Sequence, residues 1–560
     1  MKVYLTLVRT FLLGNGSEDP RSKKQKIFYG ILGIVSLVLI LLPCMVAVGI
    51  MSYGFAIGLY HRSAGLVFEL QFMTLFLVVF SFGVIMNVFY FSDDLPMLLP
   101  LPISPGKLIM AKFTVVYIAE TAMEIVMLIA ALTGHILGLT SGLAPEGAEA
   151  TGILDLIWIS LMGGIGSLVL PLGPMVYCGI VCLILMSFTA FIRKRETVTV
   201  LAAVLTVVAI GLVLFVISLL GTEDFEHIVA ALDSNSVAFL RVMNVIFPGN
   251  YLFGKLMDGP SVLAPILFLG YHGGILLIFF SLAQMLYLRG VNGVMSGSTY
   301  TKKRKEVLIL NAAPAWLSYV KKEWRILYRT PSFFQNTLAI NLFWPALLYV
   351  AYVVQKGSGD MEGYIRLYQN GNEFMQWVAV VIVIGCSALV TASNSIAGSS
   401  ISREGKNYYI MKYLPMELST QLHIKAVFSV VVSSGFTLVY LLAVCVILQV
   451  PILQTCLYSV ISVLTVIMIC YFGVWLDTLN PKLNWDDEAG ALRANINIFF
   501  NMAFAMIFTA AVLGLFALEF FFTYLPLWVV MGHLFFLLLL ADLYLIRLVD
   551  TNGRDHLLAL

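Results

Sequence analysis

Two carboxylates inside an apolar run are the residues of this sequence best placed to do chemistry. Glu120 and Glu124 lie four residues apart, about one helical turn, in the run from 108 to 137. A charge near mid-membrane depth costs roughly 2.5 to 3.5 kcal/mol on insertion scales, so it is rarely kept without a role. We expect the pair either to line a path or bind a cationic group, or to be protonated or hydrogen-bonded between helices.

Two other groups of residues share features with catalytic motifs. The run from Gly249 to Lys255 has the glycines and the lysine of a phosphate-binding loop, but Leu256 follows where Ser or Thr would hold Mg²⁺. An acidic cluster is formed by Asp486, Asp487 and Glu488. A metal-dependent membrane enzyme would also need a histidine near such a cluster, and none is near it in the sequence. We therefore predict no catalytic residue, no metal site and no cofactor in this chain.

The composition indicates that this chain is a membrane protein. Of its 560 residues, 60% are hydrophobic and 11% are charged, which leaves too little polar surface for a water-soluble fold. Apolar runs of about 20 residues cross a hydrocarbon core of roughly 30 Å as helices. The expected fold is all-α, with about twelve transmembrane helices in two six-helix halves, each preceded by an amphipathic interfacial helix.

The order of the runs defines the expected domains. Residues 1–290 form the first half, 291–335 a basic cytoplasmic linker with an amphipathic helix, and 336–560 the second half. The fourth run contains Pro171 and Pro174 and is too long for one straight crossing, so a broken or re-entrant helix is expected there. The predicted spans are 28–50, 66–90, 108–137, 153–192, 198–220, 264–288, 336–354, 376–398, 421–449, 455–478, 495–521 and 526–547.

The positions of the basic residues predict the orientation. With the N-terminus inside, most of the 33 Lys and Arg residues fall in cytoplasmic segments, and so do both termini and the loop from Arg193 to Arg195. The longest outside segment, 221–263, has near-helical apolar spacing and is either an extracellular cap or an interfacial pair of helices that seals the outer face. The basic residues left outside are Arg62, Arg241, Lys255, Lys356 and Arg366.

Two short polar stretches at corresponding positions indicate that the halves are related. The first anchor stretch, 91–112, and the second anchor stretch, 402–425, each open with charge, pass through a Leu-Pro-aliphatic step and end on a lysine ten residues after that proline. The candidate functional residues are Asp93, Asp94, Leu101, Pro102, Ile103, Lys107 and Lys112 in the first, and Arg403, Glu404, Lys412, Leu414, Pro415 and Lys425 in the second.

The same offset pairs the two glutamates with hydroxyl residues. Glu120 corresponds to Ser433 and Glu124 to Thr437. Because the acids of one half correspond in sequence to hydroxyl residues of the other, the two pairs are not expected to share a symmetric packing role. All four residues are therefore candidates for a translocation path.

With these features the chain resembles a permease of the type-2 ABC transporter family, in the fused two-half form common in Gram-positive bacteria. The resemblance rests on the anchor stretches, on an amphipathic segment before the second half, and on the loop from Gly473 to Asn497. The first half departs from this pattern, with only Arg193 to Arg195 where the second has that loop. The matching residues are Trp316, Lys321, Lys322, Glu323, Arg325 and Arg329 in the amphipathic segment, and Asp477, Pro481, Lys482, Leu483, Trp485, Glu488, Asn495 and Asn497 in the loop.

The resemblance implies an ATP-driven exporter in a bacterial cell membrane. Each anchor stretch would hold a short coupling helix, stiffened in the first by prolines, that seats in a cleft of a separate ATPase subunit, and the interfacial helix would touch that subunit as well. Two copies of a soluble ATPase would bind ATP and Mg²⁺, and the halves would rock to open a central path alternately. Membrane lipid and an unidentified substrate are the other expected partners, and nucleic acid is not one.

The alternative is an ion-gradient-driven secondary carrier or channel. That class predicts ion ligands on broken helices at equivalent positions of both halves. The break expected in the fourth run has no counterpart in the tenth, which disfavours this alternative. Peptide, lipid, antibiotic and ion all stay open as substrates.

Overall fold

The computed structural model describes most of the chain and divides it into two compact units. Within the described residues every regular element is helical and none is a strand, so the all-α class is confirmed. The units are Met1–Gly16 with Leu41–Lys305, and Ser17–Ile40 with Glu306–Leu560. The described ranges are 2–13, 23–59, 63–92, 94–141, 152–188, 238–299, 314–342, 344–345, 360–485, 488–492, 495–519 and 526–559, with isolated positions between 197 and 211.

Ten helices lie in the described part of the chain before residue 300, and their lengths follow the apolar runs. They are α1 (Lys2–Leu13), α2 (Lys23–Gly58), α3 (Ala64–Tyr90), α4 (Leu95–Leu98), α5 (Pro105–Thr140), α6 (Ile153–Val169), α7 (Leu172–Phe188), α8 (Ala238–Ile246), α9 (Pro248–Met257) and α10 (Leu263–Thr299). The predicted apolar segment outside the membrane thus contains α8 and α9. The Gly249 to Lys255 run lies within α9 and is helical.

The second unit is built in the same way from long apolar helices with short ones between them. A π-helical turn, Phe334–Leu338, and a 3₁₀ turn, Ala339–Leu342, follow α11 and the short turn Pro331–Phe333. The helices are α11 (Ala315–Arg329), α12 (Asp360–Gln369), α13 (Glu373–Ser393), α14 (Ile410–Tyr413), α15 (Leu418–Ile447), α16 (Ile452–Leu479), α17 (Glu488–Leu492), α18 (Ile496–Leu518), α19 (Leu527–Leu548) and α20 (Arg554–Ala559).

Several helices are suited to cross a membrane, which confirms a multi-pass membrane protein. In the described ranges, eight helices are long and apolar enough, or nine if the bent helix α5 is taken as one span. The predicted first span lies on α2. The predicted spans 198–220 and 336–354 fall mostly outside the described residues, as do the loop from Arg193 to Arg195 and the start of the outside segment, 221–237.

Two interruptions shape the helices of the first unit. The break predicted in the fourth run lies at Leu170 and Pro171, between α6 and α7, although Ile153–Phe188 still forms one apolar segment of crossing length. A sharper bend, of 43°, lies in α5 between Ala122 and Glu124. The sequence analysis did not predict this bend, because no proline marks it. It falls at the pair of glutamates.

Close helix approach in the first unit depends on glycine. A Cβ on Gly134 of α5 would lie 2.1 Å from the backbone oxygen of Gly49 in α2, and a Cβ on Gly138 would lie 2.6 Å from Ala56 Cβ. Small residues let membrane helices approach to backbone contact, where dispersion and polar backbone contacts replace side-chain packing. The short distance between α2 and α5 therefore depends on glycines, which have no side chain.

We expect Gly134→Ala to lower the free energy of unfolding by about 1 to 3 kcal/mol, because its methyl group would force two backbones apart. Thermal unfolding of the detergent-purified chain, followed by tryptophan fluorescence, measures this loss. Gly164→Ala in α6 is the matched control, since a Cβ there meets nothing within 4 Å. Equal melting temperatures for the two variants would contradict the proposed close approach.

Candidate functional site

A buried lysine, Lys112, holds the first anchor stretch by hydrogen bonds. Lys112 lies about two turns into α5, and its side chain is only 2% exposed. Its Nζ donates to Asp94 Oδ1 at 2.7 Å, to Ser92 Oγ at 2.5 Å and to the carbonyl of Val88 at 3.1 Å. One ammonium thereby joins the end of α3, the turn before α4, and α5.

The N-terminal helix covers the same lysine. α1 packs along α5, and the hydroxyl of Tyr4 lies 2.7 Å from Thr114 Oγ1. The ring of Phe11 lies 5.8 Å from Lys112 Nζ, within the range of a cation–π contact. The predicted interfacial helix is thus attached to the anchor stretch through α5.

The second anchor stretch is held in a corresponding way by Lys425. This residue lies about two turns into α15, and its side chain is 1% exposed. Its Nζ donates to Glu323 Oε1 at 2.6 Å, to Glu404 Oε1 at 2.6 Å and to the carbonyl of Ser400 at 2.9 Å. An ammonium has three protons to donate, and each has an acceptor here.

Two further cations complete this cluster. Lys322 also pairs with Glu404, and Arg403 Nη2 lies 3.6 Å from Glu323 Oε2. Arg403 Nη1 donates to the Ile396 carbonyl and to Ser399 Oγ, both at 2.7 Å. We call the five charged side chains Lys322, Glu323, Arg403, Glu404 and Lys425 the ion cluster. It connects the amphipathic helix α11, the second anchor stretch and α15.

Burial and charge act against each other on the pKa values in the ion cluster. Burial acts to raise the pKa of Glu404, but the positive charges of Lys425 and Lys322 and their hydrogen bonds lower it to about 2. Burial lowers the pKa of Arg403 from its usual range, while nearby carboxylates oppose that shift. Burial also raises the pKa of Tyr319, whose ring lies 5.6 Å from Lys425 Nζ.

Beside the ion cluster, a single carboxylate organises the start of the anchor stretch. Asp477 Oδ2 accepts from the backbone N–H groups of Ile401 and Ser402, at 2.6 and 2.9 Å. Its Oδ1 accepts from Ser402 Oγ at 2.5 Å and from Asn497 Nδ2 at 2.9 Å. Four donors offset the cost of burying this carboxylate. Asp477 therefore contacts the anchor stretch directly, and Asn497 acts on it through Asp477.

The loop from Pro481 to Trp485 closes over the same turn. Trp485 Nε1 donates to the Ser402 carbonyl at 2.9 Å, and the Lys482 backbone N–H donates to Ser402 Oγ at 2.9 Å. Gly405 has φ +57°, and a Cβ there would lie 2.5 Å from the Trp485 ring. Only glycine combines this backbone conformation with that contact.

Both anchor stretches present apolar side chains at their surface. In the first, Met97 of α4 is 80% exposed and Leu101 follows it. In the second, Tyr413 of α14 is 83% exposed, and its ring makes an edge contact with the ring of Tyr409, also exposed. In both stretches the lysine that ends the stretch is buried, and the surface presents apolar or aromatic side chains together with Lys107 in the first and Lys412 in the second.

The predicted site residues fall into three groups by exposure. The buried ones are Lys112, Glu323, Arg403, Lys425, Ser433, Thr437 and Asp477. The half-buried ones are Asp94, Ile103, Glu120, Glu124, Lys322, Glu404, Pro481, Lys482, Trp485 and Glu488. The exposed ones are Leu101, Pro102, Lys107, Trp316, Lys321, Arg325, Arg329, Lys412, Leu414 and Pro415. Asp93 lies outside the described residues, as do Asp486 and Asp487.

The four candidates for the translocation path have different surroundings. Glu120 and Glu124 lie at the bend of α5, and Glu124 Oε2 has no hydrogen-bond partner among the described residues. Ser433 Oγ instead accepts from Asn394 Nδ2 at 2.8 Å, and Thr437 Oγ1 donates to the Ser433 carbonyl at 3.1 Å. The hydroxyl pair is thus satisfied within its own unit.

Sequence reasoning missed Ser402, Gly405 and Tyr413. Ser402 links Asp477 to the loop, Gly405 admits the Trp485 ring, and Tyr413 is the most exposed aromatic side chain of the second anchor stretch. A glycine directly after Arg403 and Glu404 was a signal for a special backbone conformation. No pattern in one sequence marks the other two.

We expect Lys425→Met to lower the free energy of unfolding by about 3 to 5 kcal/mol, since Glu323 and Glu404 each lose an ion pair and a hydrogen bond to the buried ammonium. Lys321→Met is the matched control, because Lys321 is exposed on α11, and it should shift stability by less than about 0.5 kcal/mol. Thermal unfolding in detergent measures both. A small effect at Lys425 would show that the ion cluster does not hold this region together.

Comparisons of the chain with protein-family models, with curated proteins and with solved structures each find no match. The function is therefore argued from the geometry of the anchor stretches.

Proposed function

We propose that this chain is the transmembrane subunit of an ATP-binding-cassette exporter, a fused permease of the type-2 kind. On this proposal it has about twelve membrane helices in two related halves and lies in a bacterial cell membrane with both termini in the cytoplasm. Two copies of a separate soluble ATPase drive it, and they bind the ATP and Mg²⁺. No catalytic residue belongs to this chain.

The observation that carries the proposal is the matching pair of buried lysines. In each unit a lysine about two turns into a long helix donates to a carboxylate of the anchor stretch and to a backbone carbonyl that precedes that carboxylate. In each unit an amphipathic helix also packs against that long helix. Such correspondence in detail supports two related halves with one mechanical purpose.

This construction suits the transmission of force. A push on α14 reaches α15 through Gln421, whose side chain donates to the Met411 carbonyl at 2.9 Å. The segment before α14 is tied to α11 and α15 by the ion cluster. A push on α4 reaches α5 through Asp94 and Lys112. A flexible surface loop would absorb such a push, whereas a buried, charge-paired one passes it to the membrane helices.

The exposed apolar side chains are the proposed contacts with the ATPase subunits. Aromatic and aliphatic anchors that insert into a pocket typically contribute most of the binding energy of an interface. Met97 and Leu101 serve the first docking point, and Tyr409 and Tyr413 the second. Lys112, Arg403 and Lys425 are buried, so their proposed part in coupling is to position these contacts.

We expect Tyr409→Ser with Tyr413→Ser to weaken ATPase docking at the second point by tenfold or more, because two interface anchors are lost. The chain is co-expressed with the soluble ATPase encoded next to it, and the ATPase copies bound per chain are counted by light scattering. The expected change is from two copies to one. Met97→Ser with Leu101→Ser tests the first point in the same assay.

Tyr544→Ser is the matched control, since Tyr544 is exposed on the membrane helix α19 and should leave two copies bound. Unchanged stoichiometry in both anchor variants would remove the docking assignment. If the neighbouring gene encodes no ATPase and none co-purifies, the secondary carrier or channel becomes the better proposal.

On the same proposal, Glu120 and Glu124 line the translocation path at the bend of α5. Glu120→Gln with Glu124→Gln keeps the shape of both side chains and removes both charges, so we expect transport and substrate-stimulated ATP hydrolysis to fall at least tenfold. Reconstituted vesicles with the ATPase provide the measurement. Wild-type rates in the double variant would assign the pair to helix packing.

A further inference from the structure

A cavity in the first unit has the features of a ligand site that the proposed function does not use. Its volume is about 380 Å³, within the range of pockets for small molecules. It lies where the ends of α5 and α9 meet the start of α6. The lining residues are His135, Leu139, Asp155, Ile159, Lys255, Met257, Asp258, Gly259, Pro260 and Ser261.

Charges of both signs face this cavity without neutralising one another. Lys255 Nζ lies 4.8 Å from the centre of the Tyr251 ring, within the range of a cation–π contact. Neither Lys255 nor Asp155 forms an ion pair with another described residue. Asp258 follows three residues after Lys255, and its Oδ1 accepts a hydrogen bond from the Ser63 backbone N–H at 3.0 Å.

A buried histidine provides a further polar contact. His135 is only 3% exposed, yet its ring lines the cavity and its Nδ1 has no hydrogen-bond partner in the part of the chain that the structure describes. A buried polar atom without a partner is costly, and a bound ligand that donates or accepts there removes the cost. This observation is independent of the surface charges.

The pattern of groups selects the ligand class. One ammonium and two carboxylates around a single cavity complement a molecule that carries both charges. A bare metal ion fits less well, because no group of three or more His, Cys, Asp or Glu side chains in the described ranges is arranged to hold one. The apolar part of the cavity wall, which suits a short hydrocarbon group of the ligand, is formed by Leu139, Ile159 and Met257.

We propose that this cavity binds a zwitterion, with its ammonium group toward Asp155 and Asp258 and its anionic group toward Lys255. A short peptide and the ethanolamine phosphate headgroup of a lipid share this chemistry. The site goes beyond the proposed export function, and its occupancy does not depend on an ATPase partner.

Calorimetric titration of the full-length chain alone tests the proposal, in nanodiscs of phosphatidylglycerol, which carries no ammonium group. The probes are dialanine and glycerophosphoethanolamine. N-acetyl-dialanine, which lacks the ammonium, and dialanine amide, which lacks the carboxylate, are the matched controls. We expect each of these two to bind about tenfold or more weakly than dialanine, since each loses one charge-assisted contact.

The variants assign those contacts to residues. Asp155→Asn should abolish the preference for dialanine over its N-acetyl form, and Lys255→Gln should abolish the preference over the amide, while Lys255→Arg keeps it. Each preference is a ratio within one protein, so a partly unfolded preparation cannot imitate its loss. Glu373→Gln removes one negative charge in the second unit and should keep both preferences.

Binding of dialanine alone identifies a peptide source, and binding of glycerophosphoethanolamine alone identifies a lipid source; either outcome supports the site. The proposal is overturned if neither probe binds, if the single-charge analogues bind as tightly as dialanine, or if both preferences survive in Asp155→Asn and Lys255→Gln.

Discussion

A buried ammonium that needs an acceptor for every proton is the constraint on which the second anchor stretch depends. Lys425 lies inside the protein, and its three acceptors come from α11, from Glu404 and from the turn at Ser400. Removing any acceptor leaves charge in a medium of low dielectric constant, which is strongly unfavourable. The ammonium therefore ties α11 and the segment that contains Ser400 and Glu404 to α15.

The first unit meets the same constraint with fewer parts. Lys112 has one carboxylate, one hydroxyl and one carbonyl as acceptors, and all lie between Val88 and Asp94. Helix α1 contributes the ring of Phe11 and no acid to Lys112, whereas α11 contributes Glu323 to Lys425. The two anchor stretches are thus unequal in how they are fixed. Under the proposed function, an ATPase docked on both would act on an ion cluster at one and on a single ion pair at the other.

The sequence predicted the membrane helices well and the site only in outline. Runs such as 66–90 and 455–478 are found as α3 and α16 almost unchanged, because hydrocarbon excludes unpaired backbone groups and a long apolar run has no other stable form there. The bend at Glu124 left no such mark. Hydrophobic periodicity reports only which residues are apolar, so it does not locate a bend that no proline marks.

The chain by itself determined that this is an all-α membrane protein, and it placed Lys112 and Lys425 at matching positions in two stretches. Only the tertiary structure decided that both lysines are buried, that Glu323 from a distant helix is a partner of Lys425, and that Tyr413 is what the surface presents. The physical reason is the separation along the chain over which each interaction acts. Hydrophobicity acts residue by residue along the chain, whereas an ion pair over 102 sequence positions exists only after folding brings its members within 3 Å.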